Sequence, residues 1–162
     1  MLRFVLQRVS CAEVVINELS CGKMLQGIVI FLGVGRGFNE NERSALQPVL
    51  EKCADKVLGL RIFSDSQGKM NLSVKDVAGG LYIVSQFTLF ADCKKGSRPG
   101  FSAAASPDFA RGIYEDFLKI LKMRSPADLQ IYSGEFAADM KVSLLNDGPV
   151  TLILEVDLGG IR

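Results

Sequence analysis

The chain contains no histidine. Histidine is the side chain that most often serves as a general base near neutral pH. Its absence excludes serine–histidine and cysteine–histidine couples, and it removes the commonest metal ligand. Any chemistry here must come from hydroxyls, amides, backbone groups or the substrate itself. Cysteine is sparse: Cys11, Cys21, Cys53 and Cys93 form no CxxC pair. They are read as reduced thiols, with neither a disulfide framework nor a zinc site. No metal and no cofactor are expected. Charge of one sign is also lacking: 19 basic residues face 18 acidic ones, a net charge of +1. That argues against binding along a nucleic-acid backbone, which needs a broad basic surface, but leaves a local contact with one RNA end open. No apolar run reaches membrane-spanning length, and the start, Met1 to Arg8, lacks the apolar stretch of a signal peptide. A cytoplasmic protein with no membrane partner is the expectation. No repeat and no linker of disordered composition divides the 162 residues, so 1–162 is read as a single domain.

What is present alternates between strand and helix patterns. Residues 2–10 and 13–18 read as two strands, and Gly27 to Val34 as a strand buried on both faces. Ala45, Leu46, Val49, Leu50, Cys53, Ala54 and Val57 then repeat at spacings of three and four, the stripe of a covering helix. Pro48 should kink that helix or mark its first turn. Residues 60–64 read as a strand followed by an Asp65-Ser66-Gln67-Gly68 turn, and the apolar run from Leu81 to Ala91 as a long strand. Residues 92–105 read as an exposed loop. Ser106-Pro107-Asp108 is a helix start, with Phe109, Ile113, Phe117, Ile120 and Leu121 on the buried face. Strands are expected at 129–133, 141–145 and 150–156. The fold class is α+β: a β-barrel-like mixed or antiparallel sheet with two main covering helices.

Two apparent signals weaken on inspection. Gly33-Val34-Gly35, with Asp55 twenty residues on, imitates a dinucleotide fingerprint, but the third glycine position is Phe38. A tight turn is the better reading. Glu135 and Asp139 could pair for acid–base work, yet nothing in their spacing separates them from solvated charges.

Two other segments carry more weight. Ser85-Gln86-Phe87-Thr88-Leu89 interrupts an apolar run, and Asn146-Asp147-Gly148-Pro149-Val150-Thr151 lies between two. By residue type alone the first reads as a strand with polar positions at one edge, and the second as a turn with a trans Gly-Pro bond. Together they closely resemble the two signature motifs of the D-aminoacyl-tRNA deacylases. Gln7-Arg8-Val9-Ser10, Gly59 to Phe63, Gly68 to Asn71, Ser97-Arg98-Pro99 and Ala138 to Leu144 resemble the same family, in order along nearly the whole chain.

The resemblance implies a homodimer with its active site at the subunit interface. It also implies a cis Gly148-Pro149 peptide that faces Ser85, Gln86, Phe87 and Thr88 of the partner. The implied activity is hydrolysis of the ester of D-aminoacyl-tRNA, and of glycyl-tRNA, by an enzyme that rejects L-amino acids through clash with Gly-Pro carbonyls. The implied catalytic positions are Phe87 and Thr88. Ser85, Gln86, Gly148, Pro149, Met140 and Arg8 would bind substrate, with Arg8 bracing the Gly-Pro segment. Thr88 is one nucleophile to consider. The alternative uses backbone N–H groups near Phe87 and Thr88 as oxyanion donors, with the 2′-OH of the terminal adenosine helping to activate water. The second route is preferred because it needs no side-chain base. Lys94, Lys95 and Arg98 are either contacts to tRNA phosphates or ordinary solvated loop charges. Two rival functions stand beside the deacylase: a non-catalytic RNA-end-binding module, and a hydrolase of another small ester or amide using Thr88.

Overall fold

The computed structural model describes residues 1–38 and 40–162, without the side chains of Glu40 and Glu42. Strands β1 (Leu2–Ile16), β2 (Leu19–Met24) and β3 (Gly27–Val34) form an antiparallel start. A 3-10 segment at Glu40–Leu46 leads into helix α1 (Gln47–Gly59), with Pro48 in its first turn. Proline is tolerated there because the first N–H groups of a helix have no partner inside it. Strands β4 (Phe63–Ser64) and β5 (Met70–Leu72) make a small hairpin, and β6 (Gly80–Ser85) returns to the main sheet. Helix α2 (Pro107–Arg124) follows, then β7 (Gln130–Ser133), β8 (Lys141–Asp157) and β9 (Gly160–Ile161). The main sheet runs β7-β6-β3-β1-β8-β9, with β2 also on β1. The β3–β6 and β6–β7 pairs are parallel and the others antiparallel, so the sheet is mixed; it curls into a half-barrel.

The two helices cover one face. Leu2, Phe4 and Leu6 of β1, Leu81 and Ile83 of β6, and Phe117 of α2 share the larger core. Tyr82 and Val84 alternate to the other face and join Val14, Met24 and Val29 in a smaller one. No helix is long and apolar enough to cross a membrane among the described residues.

Three sequence expectations change. The strand read at 2–10 and most of that read at 13–18 are one, β1, which ends at Ile16 and has irregular pairing with β8 between Gln7 and Cys11. The run 81–91 does not stay extended: β6 ends at Ser85, and Phe87–Phe90 coil into a 3-10 turn. Asn146 to Thr151 is not a reversal between strands but a bulge within β8. Gln7 pairs with Thr151 and Val9 with Asn146, so Asp147 to Val150 all stand opposite the single residue Arg8. The Gly148-Pro149 peptide is cis, not the trans form that residue type alone favours.

Candidate functional site

The last ladder bond at the end of β6 is donated by the Gln86 N–H to the Leu32 carbonyl, at 2.8 Å. Beyond it the chain turns sharply, and packing explains why an apolar sequence leaves the sheet. A Cβ at Gly33 would stand 2.9 Å from the Gln86 carbonyl oxygen and 3.1 Å from Leu89, and a Cβ at Gly35 would collide with the Phe90 ring. The two glycines that imitate a nucleotide fingerprint are therefore the seat on which the 87–90 turn rests. Phe90 is buried there, while Phe87 is left 56% exposed, edge-on to Phe101 at 4.9 Å between centroids.

Because Phe87 and Thr88 open a helical turn, their N–H groups have no acceptor within it, and none is found among the other described residues. Gln86 donates its side-chain amide to the Thr88 hydroxyl. Thr88 itself is exposed, and among the described residues no hydrogen bond donated by its hydroxyl is found.

Ser85, Gln86 and Phe87 form one side of a pocket of about 470 Å³. Leu32 and Val34 continue that wall from β3. The first turns of α2 supply Pro107, Ala110 and Tyr114, and the segment before β8 supplies Phe136, Ala137, Ala138 and Met140. This volume is in the range of small-ligand sites, and the lining is mostly apolar with a few polar atoms at one end. The Tyr114 hydroxyl lies 3.0 Å from the Ile83 carbonyl and 2.9 Å from the Gly134 carbonyl. It ties the end of β6 to the opposite wall, and burial pushes its phenol well above its ordinary pKa. Tyr114, Phe136 and Phe101 are absent from the sequence reading. The available signal was a tyrosine inside the apolar stripe of α2, where a hydroxyl needs a buried partner.

The second motif stands apart. Arg8 is nearly buried; its Nη1 donates to the Ile62 carbonyl at 2.6 Å and its Nε to the Asp147 carbonyl at 3.1 Å. The Asp147 carboxylate lies 3.4 Å from the same Nε. Asn146 donates to the carbonyls of Arg8 and Val150, both at 3.1 Å, and so pins each end of the bulge. Gly148 has φ +121°, and a Cβ there would meet Arg8 Nη2 at 2.8 Å. Gly148 and Pro149 are exposed and do not line the pocket of their own chain. The structure thus brings Ser85, Gln86, Phe87 and Met140 together, and joins Arg8 to Gly148 in a second group. Thr88 sits beside the pocket, outside its lining.

Lys94, Lys95 and Arg98 are exposed on a loop closed by paired backbone bonds between Asp92 and Gly100, at 2.7 and 2.9 Å. Glu135 and Asp139 are exposed and outside the pocket lining. Among the described residues no three His, Cys, Asp or Glu side chains group closely enough to hold a metal ion.

Comparison with known proteins matches this geometry to a family. The sequence model of the D-Tyr-tRNA(Tyr) deacylase family matches residues 5–155. A D-aminoacyl-tRNA deacylase of Thermotoga petrophila is 46% identical over 154 residues, covering 95% of this chain and 97% of its own. That of Saccharophagus degradans is 47% identical, covering 94% and 99%. Among solved structures, a c-Myc DNA unwinding element binding protein superposes with a TM-score of 0.83 at 36% identity, over 96% of this chain and 99% of its own. A probable eukaryotic D-amino acid tRNA deacylase shares the fold, with a TM-score of 0.73 at 16% identity over 94% and 97% of the two chains. On a match that spans nearly the whole sequence, the chain belongs to the D-aminoacyl-tRNA deacylase family of hydrolases.

Proposed function

We propose that residues 1–162 act as one deacylase domain that takes the 3′ end of a D-aminoacyl-tRNA into the pocket at the end of β6 and hydrolyses its ester. The products are free D-amino acid and tRNA. The observation that carries this reading is the pair of unbonded N–H groups at Phe87 and Thr88, beside a pocket of nucleoside-scale volume. Such donors stabilise the oxyanion of a tetrahedral intermediate without any ionisable side chain. Water attacks the ester carbonyl, the 2′-OH of the terminal adenosine takes up the water proton as it passes its own to the 3′-oxygen, and the bond between the carbonyl carbon and that oxygen breaks to leave the 3′-OH. Gln86 and Ser85 position the substrate. Thr88 is not the nucleophile in this scheme, because its hydroxyl receives a hydrogen bond from Gln86 and faces no base.

Stereochemical choice falls to Gly148 and Pro149 of a second subunit. Their carbonyls accept the amino group of a D-aminoacyl ester and would collide with an L side chain. Glycine has no side chain to reject, so glycyl-tRNA is a substrate as well. Two observations support a homodimer: Gly148 and Pro149 are exposed outside the lining of their own pocket, and Leu145 and Ile153 on the same strand are 60% and 62% exposed. Lys94, Lys95 and Arg98 meet acceptor-stem phosphates, and the enzyme works in the cytoplasm, where aminoacyl-tRNA is made. The near-neutral net charge argues against binding along duplex DNA, which needs a broad basic surface. The DNA binding named for one structural neighbour is therefore not part of this reading.

The deciding experiment compares deacylation of D- and L-tyrosyl-tRNA. Hydrolysis of the D form alone is expected, and D-tyrosyl-tRNA left at its buffer rate would turn the reading toward an RNA-end-binding module. A terminal 2′-deoxyadenosine should slow the reaction sharply, and an unchanged rate would remove the 2′-OH from the mechanism. An active, strictly monomeric enzyme would refute the shared site.

A further inference from the structure

A second depression, of about 650 Å³, adjoins the pocket and shares Ala104, Ala105 and Pro107 with it. Its remaining walls include Arg36, Phe38 and Phe101. We propose that this depression is the subsite for the nucleotide immediately 5′ of the terminal adenosine. The inference rests on the reading that the first pocket takes that adenosine.

The chemistry of the depression suits a base with its phosphodiester. Phe101 is 39% exposed and touches Phe87 edge-on. The exposed ring continues from the motif into the second depression, and an exposed aromatic face is a stacking platform for a base of any identity. Phe38 is partly buried and tilted against Phe109, at 6.5 Å between centroids, so it forms a firm apolar floor. Arg36 supplies the cation. Its side chain is exposed and makes no ion pair among the described residues. Its backbone is fixed at both groups: the N–H donates to Ala103 at 2.9 Å, and the carbonyl accepts from the N-terminal amine at 3.2 Å. Among the described residues no carboxylate lines the depression to repel a phosphate.

Position supports the same occupant. Phe101 directly follows Gly100, whose pairing with Asp92 closes the loop that carries Lys94, Lys95 and Arg98. Phe101 therefore links the first motif, through its contact with Phe87, to the loop that carries these cations.

The test compares binding of adenosine with that of cytidylyl-3′,5′-adenosine, together with hydrolysis of their 3′-D-aminoacyl esters. The dinucleotide is expected to bind about tenfold more tightly, within the range that one stacked base and one phosphate contact supply. Its ester should show a similar gain in kcat/KM. Arg36→Ala and Phe101→Leu should each reduce the dinucleotide-to-mononucleoside ratio several-fold. Phe101→Tyr, which keeps a stacking face, should preserve it. An abasic 5′ residue should keep the Arg36 contribution and lose that of Phe101. Equal affinity for the two ligands in the wild-type protein would overturn the subsite, as would a ratio untouched by both Arg36→Ala and Phe101→Leu. An enzyme that hydrolysed neither ester would refute the deacylase reading instead, and the binding ratio would still decide the subsite.

Discussion

Arg3 of β1 donates from Nη1 to the carbonyl oxygen of Leu89, 2.6 Å away. The same guanidinium donates through Nε and Nη2 to Glu155 at 2.9 and 2.6 Å, and its carbon lies 5.0 Å from the centroid of the Phe90 ring. One side chain thus clamps the turn that presents the Phe87 and Thr88 amides onto two neighbouring strands. A lysine keeps the charge but has neither the fork nor the flat face. Arg3→Lys should therefore cost about 1 kcal/mol of stability and lower kcat on D-aminoacyl-tRNA several-fold with little change in KM. Glu155→Gln removes only a part-exposed ion pair, of the kind worth about 0–1 kcal/mol, and should stay within twofold of wild type. An Arg3→Lys enzyme with unaltered kcat would show that the glycine seat alone holds the turn.

Thr88→Ala separates the two mechanisms. Loss of a true nucleophile costs four or more orders of magnitude, roughly, in comparable hydrolases. Here the substitution removes only an acceptor for the Gln86 amide, so kcat should fall by less than about tenfold, in line with losing one hydrogen bond. A folded Thr88→Ala protein inactive on D-tyrosyl-tRNA would restore the threonine as nucleophile.

The fold was more legible in the sequence than the site. The run from Gly27 to Val34, the stripe from Leu46 to Val57 and the Ser106-Pro107 helix start are local patterns, and each appears where its period places it. The errors arise where distant pairing overrides local preference. Asn-Asp-Gly-Pro has the composition of a turn, yet β1 pairs with β8 on both sides of it and keeps the halves in one strand. Phe87 to Phe90 has the composition of a strand, yet Gly33 and Gly35 leave a seat into which the segment coils. The two motifs were visible as polar interruptions. The walls facing the first of them, from Tyr114, Phe136 and Met140, come from residues far along the chain, and no spacing rule brings those together.

Arg8 supports the bulge from inside, and its removal should affect stability and selectivity together. Arg8→Ala leaves the Ile62 carbonyl without its donor and frees Asp147. An unsatisfied buried carbonyl costs about 1–3 kcal/mol, which chemical denaturation would register. Because Gly148 rests against the guanidinium, the ratio of D- to L-tyrosyl-tRNA hydrolysis should fall as well. Gly148→Ala should act in the same direction, through a Cβ 2.8 Å from Arg8 Nη2 and a φ of +121° that L side chains rarely adopt. Unchanged enantiomer ratios in both folded variants would separate the Arg8 support from chiral choice.

The four thiols should divide by burial. Cys53 is fully buried on the inner face of α1, and desolvation pushes its thiol up to about 12. Cys11, Cys21 and Cys93 are exposed. At pH 8 a thiol reagent should modify three cysteines readily and Cys53 only on unfolding. Four equally fast reactions would contradict the packing of α1 on the sheet.

The pH profile offers a test of the histidine-free mechanism. Among the described residues Tyr114 is the only ionisable side chain lining the pocket, and burial moves its phenol further from neutrality. No described lining group is therefore available to lose a proton between pH 6 and 8.5. The substrate does titrate there, since an α-amino group has a pKa of about 8. With water activated by the substrate hydroxyl, kcat should rise with pH and bend once, near the pKa of the substrate amine. The position of that bend should be the same in wild type, Gln86→Ala and Thr88→Ala. A bend displaced by either substitution would assign the titration to the protein and return a side-chain base to the reaction.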